Sequence, residues 1–149
     1  MKYFIYLLSI PFIIFFIGNC STIIKGEIIS KGKQLGEFNF NPNECFSGER
    51  MQFHGITLSV KDGGVLTGII DPIKGKVIKV RTPKSCKSED DDCNEFFISK
   101  NSCSIYKINI QTTNVIINKI RALDGKLELD CKFPEGGSIK GKIEFENCH

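Results

Sequence analysis

Apolar and polar residues alternate along most of the chain with a period of two, and no segment sustains the 3.6-residue period of an amphipathic helix. The alternation is cleanest near the C-terminus. Leu127, Leu129, Cys131 and Phe133 share one phase, with Lys126, Glu128, Asp130 and Lys132 on the other. Ile139, Gly141, Ile143 and Phe145 repeat it against Ser138, Lys140, Lys142, Glu144 and Glu146. Successive side chains of a strand point to opposite faces, so each segment has one face for a core and one for water, as in an antiparallel sheet. Similar signals, spaced by about 8–12 residues, predict strands near 36–40, 53–60, 65–70, 76–81, 95–99, 104–110, 114–121, 126–133 and 138–146. Turn residues punctuate them. Asp62-Gly63-Gly64 and Asp124-Gly125 each offer the positive φ of a tight hairpin, and Pro134-Glu135-Gly136-Gly137 turns the chain into the last strand. The pattern therefore predicts an all-β fold, an antiparallel β-sandwich or jelly-roll-like barrel of about eight or nine strands, with 104–146 as a four-strand meander. Thr82 through Cys93 reads as a loop inside one domain, because neither side alone would bury a sizeable core.

The first twenty residues depart from this pattern. Lys2 precedes an apolar run from Tyr3 to Ile17, interrupted only by Ser9 and Pro11, and the run ends at Gly18-Asn19-Cys20. At about 15 residues it is shorter than the roughly 20 a permanent membrane-spanning helix needs, and no basic cluster stops it. Phe16-Ile17-Gly18-Asn19-Cys20 resembles a bacterial lipobox, in which the cysteine thiol receives diacylglycerol, although Asn19 stands where Gly, Ala or Ser is usual. The expected organisation is a lipoprotein signal peptide over 1–19, lipidated Cys20 and a tether over 20–35, and a single β domain over 36–149. Such a protein sits in the cell envelope, held to a bacterial membrane by its acyl chains, among them an amide-linked one such as palmitate. The alternatives are an ordinary secretory signal with Cys20 a free thiol, or an uncleaved N-terminal anchor.

Cysteine usage agrees with export. Setting Cys20 aside leaves Cys45, Cys86, Cys93, Cys103, Cys131 and Cys148, an even number that reads as three disulfides. Cys86 and Cys93 bracket the short polar stretch Lys-Ser-Glu-Asp-Asp-Asp, so their closure is geometrically easy and they are expected to pair. Connectivity among the other four stays open. No Cys-x-x-Cys or His-containing spacing suggests a metal site. The net charge of +3 falls by one when Lys2 leaves with the signal, too near neutral for a nucleic-acid partner.

Catalytic patterns are missing from the sequence, and no catalytic residue, metal or cofactor is expected. Glu89-Asp90-Asp91-Asp92 lacks the spaced carboxylates of a calcium loop and reads as a solvated acidic turn. His54 shares a phase with Ile56, Leu58 and Val60, which makes it a hydrogen-bonded residue at the start of a core strand. Ser47-Gly48-Glu49-Arg50 is the most suggestive string, and it reads as a polar turn whose Glu49 and Arg50 pair with or cap nearby groups. The phenylalanines after Cys20 fall mostly in strand phase and read as core. Phe96 and Phe97 are adjacent, so one of them faces outward, and the pair is the candidate partner contact.

Several strings together, Cys45-Phe46-Ser47-Gly48-Glu49-Arg50, Phe53-His54-Gly55-Ile56, Asp71-Pro72, Thr113-Asn114 with Asn118, Leu129-Asp130-Cys131 and terminal Cys148-His149, make the chain similar to a group of small predicted lipoproteins of deltaproteobacterial type. That resemblance implies an exported, disulfide-bonded β domain and carries no activity. The expectation from sequence is a non-enzymatic, lipid-anchored binding or scaffolding domain whose partners are the membrane and an envelope protein. The competing expectation is a small periplasmic inhibitor of a hydrolase, acting through the 86–93 loop.

Overall fold

The computed structural model describes residues 21–60, 64–71, 73–82 and 95–149. The period-two pattern there becomes ten strands in two five-stranded antiparallel sheets. In spatial order, sheet I contains β2 (Phe38–Phe40), β1 (Ile23–Gly32), β10 (Gly137–Cys148), β9 (Ile120–Lys132) and β8 (Cys103–Ile117). Sheet II is a meander of β3 (Glu44–Ser47), β4 (Gly55–Ser59), β5 (Val65–Asp71), β6 (Gly75–Arg81) and β7 (Phe96–Ile98). The two sheets share one core. Ile28, Ile108, Leu127, Leu129, Ile139, Ile143 and Phe145 of sheet I meet Ile56, Leu58, Leu66, Ile78, Val80 and Ile98 of sheet II in a single buried cluster. This is the predicted antiparallel sandwich, and the predicted alternation of β9 and β10 is present residue by residue: Leu127, Leu129, Cys131, Ile139, Ile143 and Phe145 are all buried.

Specific ties hold sheet to sheet. Cys45 of β3 is bonded to Cys148 of β10, with Cα atoms 5.2 Å apart. Tyr106 of β8 crosses the core edge to β6, where its hydroxyl accepts the Ile78 N–H at 2.8 Å and donates to the Lys76 carbonyl at 3.4 Å. Strand β7 is only three residues long and pairs no further than Ile78, so the tyrosine stands in for the missing neighbour along that edge of β6. Burial raises the Tyr106 pKa, partly offset by the bond from the Ile78 amide. Finally, Glu49, in the 3-10 turn Gly48–Met51, accepts the Arg121 main-chain N–H of β9 at 2.9 Å. A second disulfide, Cys103–Cys131, joins facing residues of β8 and β9.

Three expectations are corrected. Residues 23–32 are no tether: they form β1, paired with β10 from Ile23↔Glu146 to Gly32↔Gly137, so the domain begins at Ile23 rather than at residue 36. Its buried positions are Ile28 and Ser30, with Ile24 packed against the core, and the exposed Gly26 and the serine interrupt the apolar alternation. Ser30 is buried all the same, because its hydroxyl donates to the Gly36 carbonyl at 3.0 Å. The short strand β3 (Glu44–Ser47) is likewise absent from the predicted set.

The third correction concerns Asp124-Gly125, which is not a turn. Both residues lie inside β9, opposite Gln111 and Ile110, and the hairpin closes instead at Asn118 (φ 50°) and Lys119 (φ 68°). Two consecutive positive φ values are those of a type I′ turn. Gly125 is required for space: a Cβ there would stand 2.2 Å from the Asn109 carbonyl oxygen and 2.6 Å from the Phe145 ring, which lies over it. The predicted four-strand meander is therefore the three long strands β8, β9 and β10.

Candidate functional site

The two outer faces of the sandwich differ in chemistry. On sheet I the outward residues of β9 and β10 form paired charges, with Lys140 2.7 Å from Asp130, Lys126 3.1 Å from Glu128, and Lys142 bonded to Glu144. The hydrogen bond from Lys126 holds Glu128 below the ordinary carboxylate range, and that from Lys142 does the same for Glu144. Such a face is at home in water.

Sheet II has a different outer face. Its register aligns Phe46, Thr57, Thr67, Lys79 and Phe97 in one row across all five strands. A second row aligns Glu44, Ser59, Val65 and Arg81. Above these rows opens a cleft of about 480 Å³ with walls from Phe46, Met51, Phe53 and Ile69 and a floor that includes Thr57 and Thr67. The chain builds it by local means. Cys45 turns inward to its disulfide, so its neighbour Phe46 must turn outward. Gly48 then allows the 3-10 turn to fold tightly against Phe53, whose ring lies where a Cβ on Gly48 would be.

Polar groups converge on this apolar surface. Lys79 lies 2.9 Å from Glu95 and 5.0 Å from the Phe97 ring centroid, and Arg50 stacks over Phe46 at 5.6 Å. Arg81 is different: among the described residues its guanidinium has no hydrogen-bond or ion-pair partner, and its Nε is buried. The Thr57 hydroxyl is also buried without a partner, on a residue only 8% exposed. Buried polar groups are ordinarily satisfied, so two orphaned donors lining one cleft mark a place where a ligand can supply what the chain does not.

Of the candidate contacts named from sequence, Phe97 lies on this face and is 64% exposed, while Phe96 packs against the core. Phe46 and Phe53, expected in the core, line the cleft instead. The signal for Phe46 was available in its position next to an inward cysteine. In the Ser47-Gly48-Glu49-Arg50 string, Glu49 caps a main-chain group as expected, whereas Arg50 stacks on an aromatic ring. His54 immediately precedes β4 and contributes its carbonyl to the Ile70 N–H at 2.8 Å. Cys45, Cys103, Cys131 and Cys148 form the two bonds described above. Cys20, Cys86, Cys93 and the loop of the inhibitor reading lie outside the described residues. Among the described residues, no three His, Cys, Asp or Glu side chains converge as a metal site would require, and no helix is long and apolar enough to cross a membrane.

No protein-family model matches the chain, and neither the curated proteins nor the solved structures contain a match.

Proposed function

We propose that this protein is a lipid-anchored, non-enzymatic binding module of the bacterial envelope, and that it holds its ligand on the outer face of sheet II. The observation that carries this reading is the contrast between the two outer faces: one covered by paired charges, the other an apolar cleft whose Arg81 Nε and Thr57 hydroxyl have no partner among the described residues. The same contrast defines the ligand's chemistry. Its body is apolar, to cover Phe46, Met51 and Phe53, and it carries one anionic group to meet Arg81. Thr57 offers a hydroxyl beside that apolar wall.

Calorimetric titration with dodecanoate and with dodecan-1-ol tests the pairing of apolar body and anion. The carboxylate is expected to bind in a 1:1 complex and the alcohol to bind at least tenfold more weakly, as loss of a hydrogen bond to a charged group implies at about 1.5–3 kcal/mol. Arg81→Met keeps most of the packing of the side-chain stem and is expected to erase the difference between the two probes. Equal binding of both by the native chain defeats the reading. The anchor is tested separately by metabolic labelling with a fatty-acid analogue: native protein takes up label and Cys20→Ala does not, and equal labelling refutes lipidation at Cys20.

A further inference from the structure

Five large apolar side chains among the described residues are exposed, and four of them, Ile23, Met51, Ile73 and Ile116, lie at the same end of the sandwich. The register establishes this. Ile23 opens β1 opposite Glu146, near the end of β10. Cys148 bonds to Cys45 just before the 3-10 turn that carries Met51, and Glu49 of that turn holds the Arg121 amide. In β8, Tyr106 touches Ile78 and Asn109 touches Lys76, so β8 runs toward the β5–β6 turn that bears Ile73 as it heads for Ile116. The β8–β9 hairpin goes furthest. Positions 120–123 carry it past the row of Ile23 and Glu146 by about 13 Å, at roughly 3.3 Å per residue.

Cationic side chains lie beside these apolar ones. Arg50, Lys74, Lys119 and Arg121 are exposed at this end. The end also carries carboxylates: Glu146 is exposed opposite Ile23, and three others accept main-chain amides, Glu49 from Arg121, Asp124 from Asn147, and Asp71 from Ile73 and Lys74. The Lys74 and Ile73 amides also hold the Asp71 pKa below its usual range. Residues 1–20 join the described chain at the same end. Only Ser21 and Thr22 separate Cys20 from β1, and the Thr22 hydroxyl is tied to the Asn147 carbonyl at 3.0 Å. Two extended residues reach about 7 Å, so a lipid on Cys20 leaves this end no room to stand away from the bilayer.

We infer that this end of the sandwich is a membrane-docking surface for an anionic bilayer, with Ile116 at the hairpin tip and Ile73 at the β5–β6 turn entering the interface while Lys119, Arg121 and Lys74 meet lipid phosphates. The inference rests on the reading of Cys20 as the anchor for its orientation, and on the clustered side chains for its contacts.

The chain contains no tryptophan, so a single introduced one reports its own surroundings. Ile116→Trp, Ile73→Trp and, at the opposite turn, Glu135→Trp are placed in the full chain and mixed with phosphatidylcholine–phosphatidylglycerol vesicles bearing brominated acyl chains. The first two are expected to shift to the blue and be quenched, and the third to do neither. Adding Lys119→Glu and Arg121→Glu to Ile116→Trp is expected to reduce the quenching severalfold at low salt. Quenching of Glu135→Trp equal to that of Ile116→Trp, or an unquenched Ile116→Trp on vesicle-bound protein, overturns the inference. Repeating Ile116→Trp with Cys20→Ala separates the two readings: persistent quenching there supports the docking surface even if labelling shows that Cys20 carries no lipid.

Discussion

Thr57 keeps a buried hydroxyl without a partner, and such a group costs about 1–3 kcal/mol relative to a satisfied one. Valine has nearly the same shape. Thr57→Val is therefore expected to stabilise the fold by about 1 kcal/mol, read as a higher midpoint in urea with an unchanged slope. A gain in stability accompanied by weaker dodecanoate binding shows that the hydroxyl is retained for the ligand; a loss of stability shows instead that it has a partner in the folded chain. Two glycines make an equally sharp contrast. Gly68 of β5 faces the core, and a Cβ there would sit 3.5 Å from Ile56 and 3.6 Å from Ile108 and Leu127, which is ordinary contact. Gly68→Ala is expected to add about 0.5–1 kcal/mol by removing glycine's flexibility from the unfolded chain. Gly125→Ala, driven into a carbonyl and the Phe145 ring, is expected to cost about 2 kcal/mol or more. Thermal unfolding of the two variants gives midpoints on opposite sides of the native one if the packing is as described.

At the scale of elements, what could be read from sequence depended on how each strand signals its inward face. Strands β9 and β10 carry Leu, Ile and Phe inward and Lys and Glu outward, so their faces were legible. Strand β1 carries an exposed Gly26, where the Lys142 carbonyl of β10 leaves no room for a Cβ, and buries Ser30 through a local hydrogen bond, and hydropathy cannot distinguish that from a linker. The Asp124-Gly125 pair looked like a turn because Asp-Gly is a hairpin dipeptide, whereas the real turn uses Asn118-Lys119, in which lysine is held at φ 68°. Lys119→Gly is thus expected to stabilise the hairpin by up to about 1 kcal/mol, visible as slower amide exchange at 116–121. The cleft was less legible than the fold, since its walls come from the end of β3, a 3-10 turn and a row across five strands that only register assembles. The charged face of sheet I makes its own prediction about pH. Glu128 and Glu144 titrate below the ordinary carboxylate range when folded, so their contribution is present above that range and lost as pH falls through the lowered values. Lys142 is raised, chiefly by its bond to Glu144, so its contribution is present below the ordinary lysine pKa and lost as pH climbs through the raised value. Melting temperature is expected to be flat between these limits, and the acid limb to weaken in high salt because the pairs are exposed.

For the molecule as a whole, connectivity makes the two disulfides of the described residues unequal. Sheet I is assembled from both ends of the chain, β1 and β2 with β8, β9 and β10, while sheet II is one continuous meander between them. The Cys45–Cys148 bond spans 103 residues and fastens the start of the meander to the last strand, so it encloses nearly the whole second sheet. Cys103–Cys131 spans 28 and links neighbours that a hairpin already holds together. Chain entropy in the unfolded state then gives about 4–5 kcal/mol for the long loop and about 3–4 for the short one. Replacing Cys45 and Cys148 together by alanine is accordingly expected to lower stability more than replacing Cys103 and Cys131. The Cys45/Cys148 pair is also the one whose loss reaches the site, because Phe46 faces the cleft only while Cys45 faces the core. Dodecanoate affinity measured well below the unfolding midpoint should fall in the Cys45→Ala/Cys148→Ala protein and hold in the Cys103→Ala/Cys131→Ala protein. Equal affinity in both would mean that the wall of the cleft is held by the register of β3 on β4 alone.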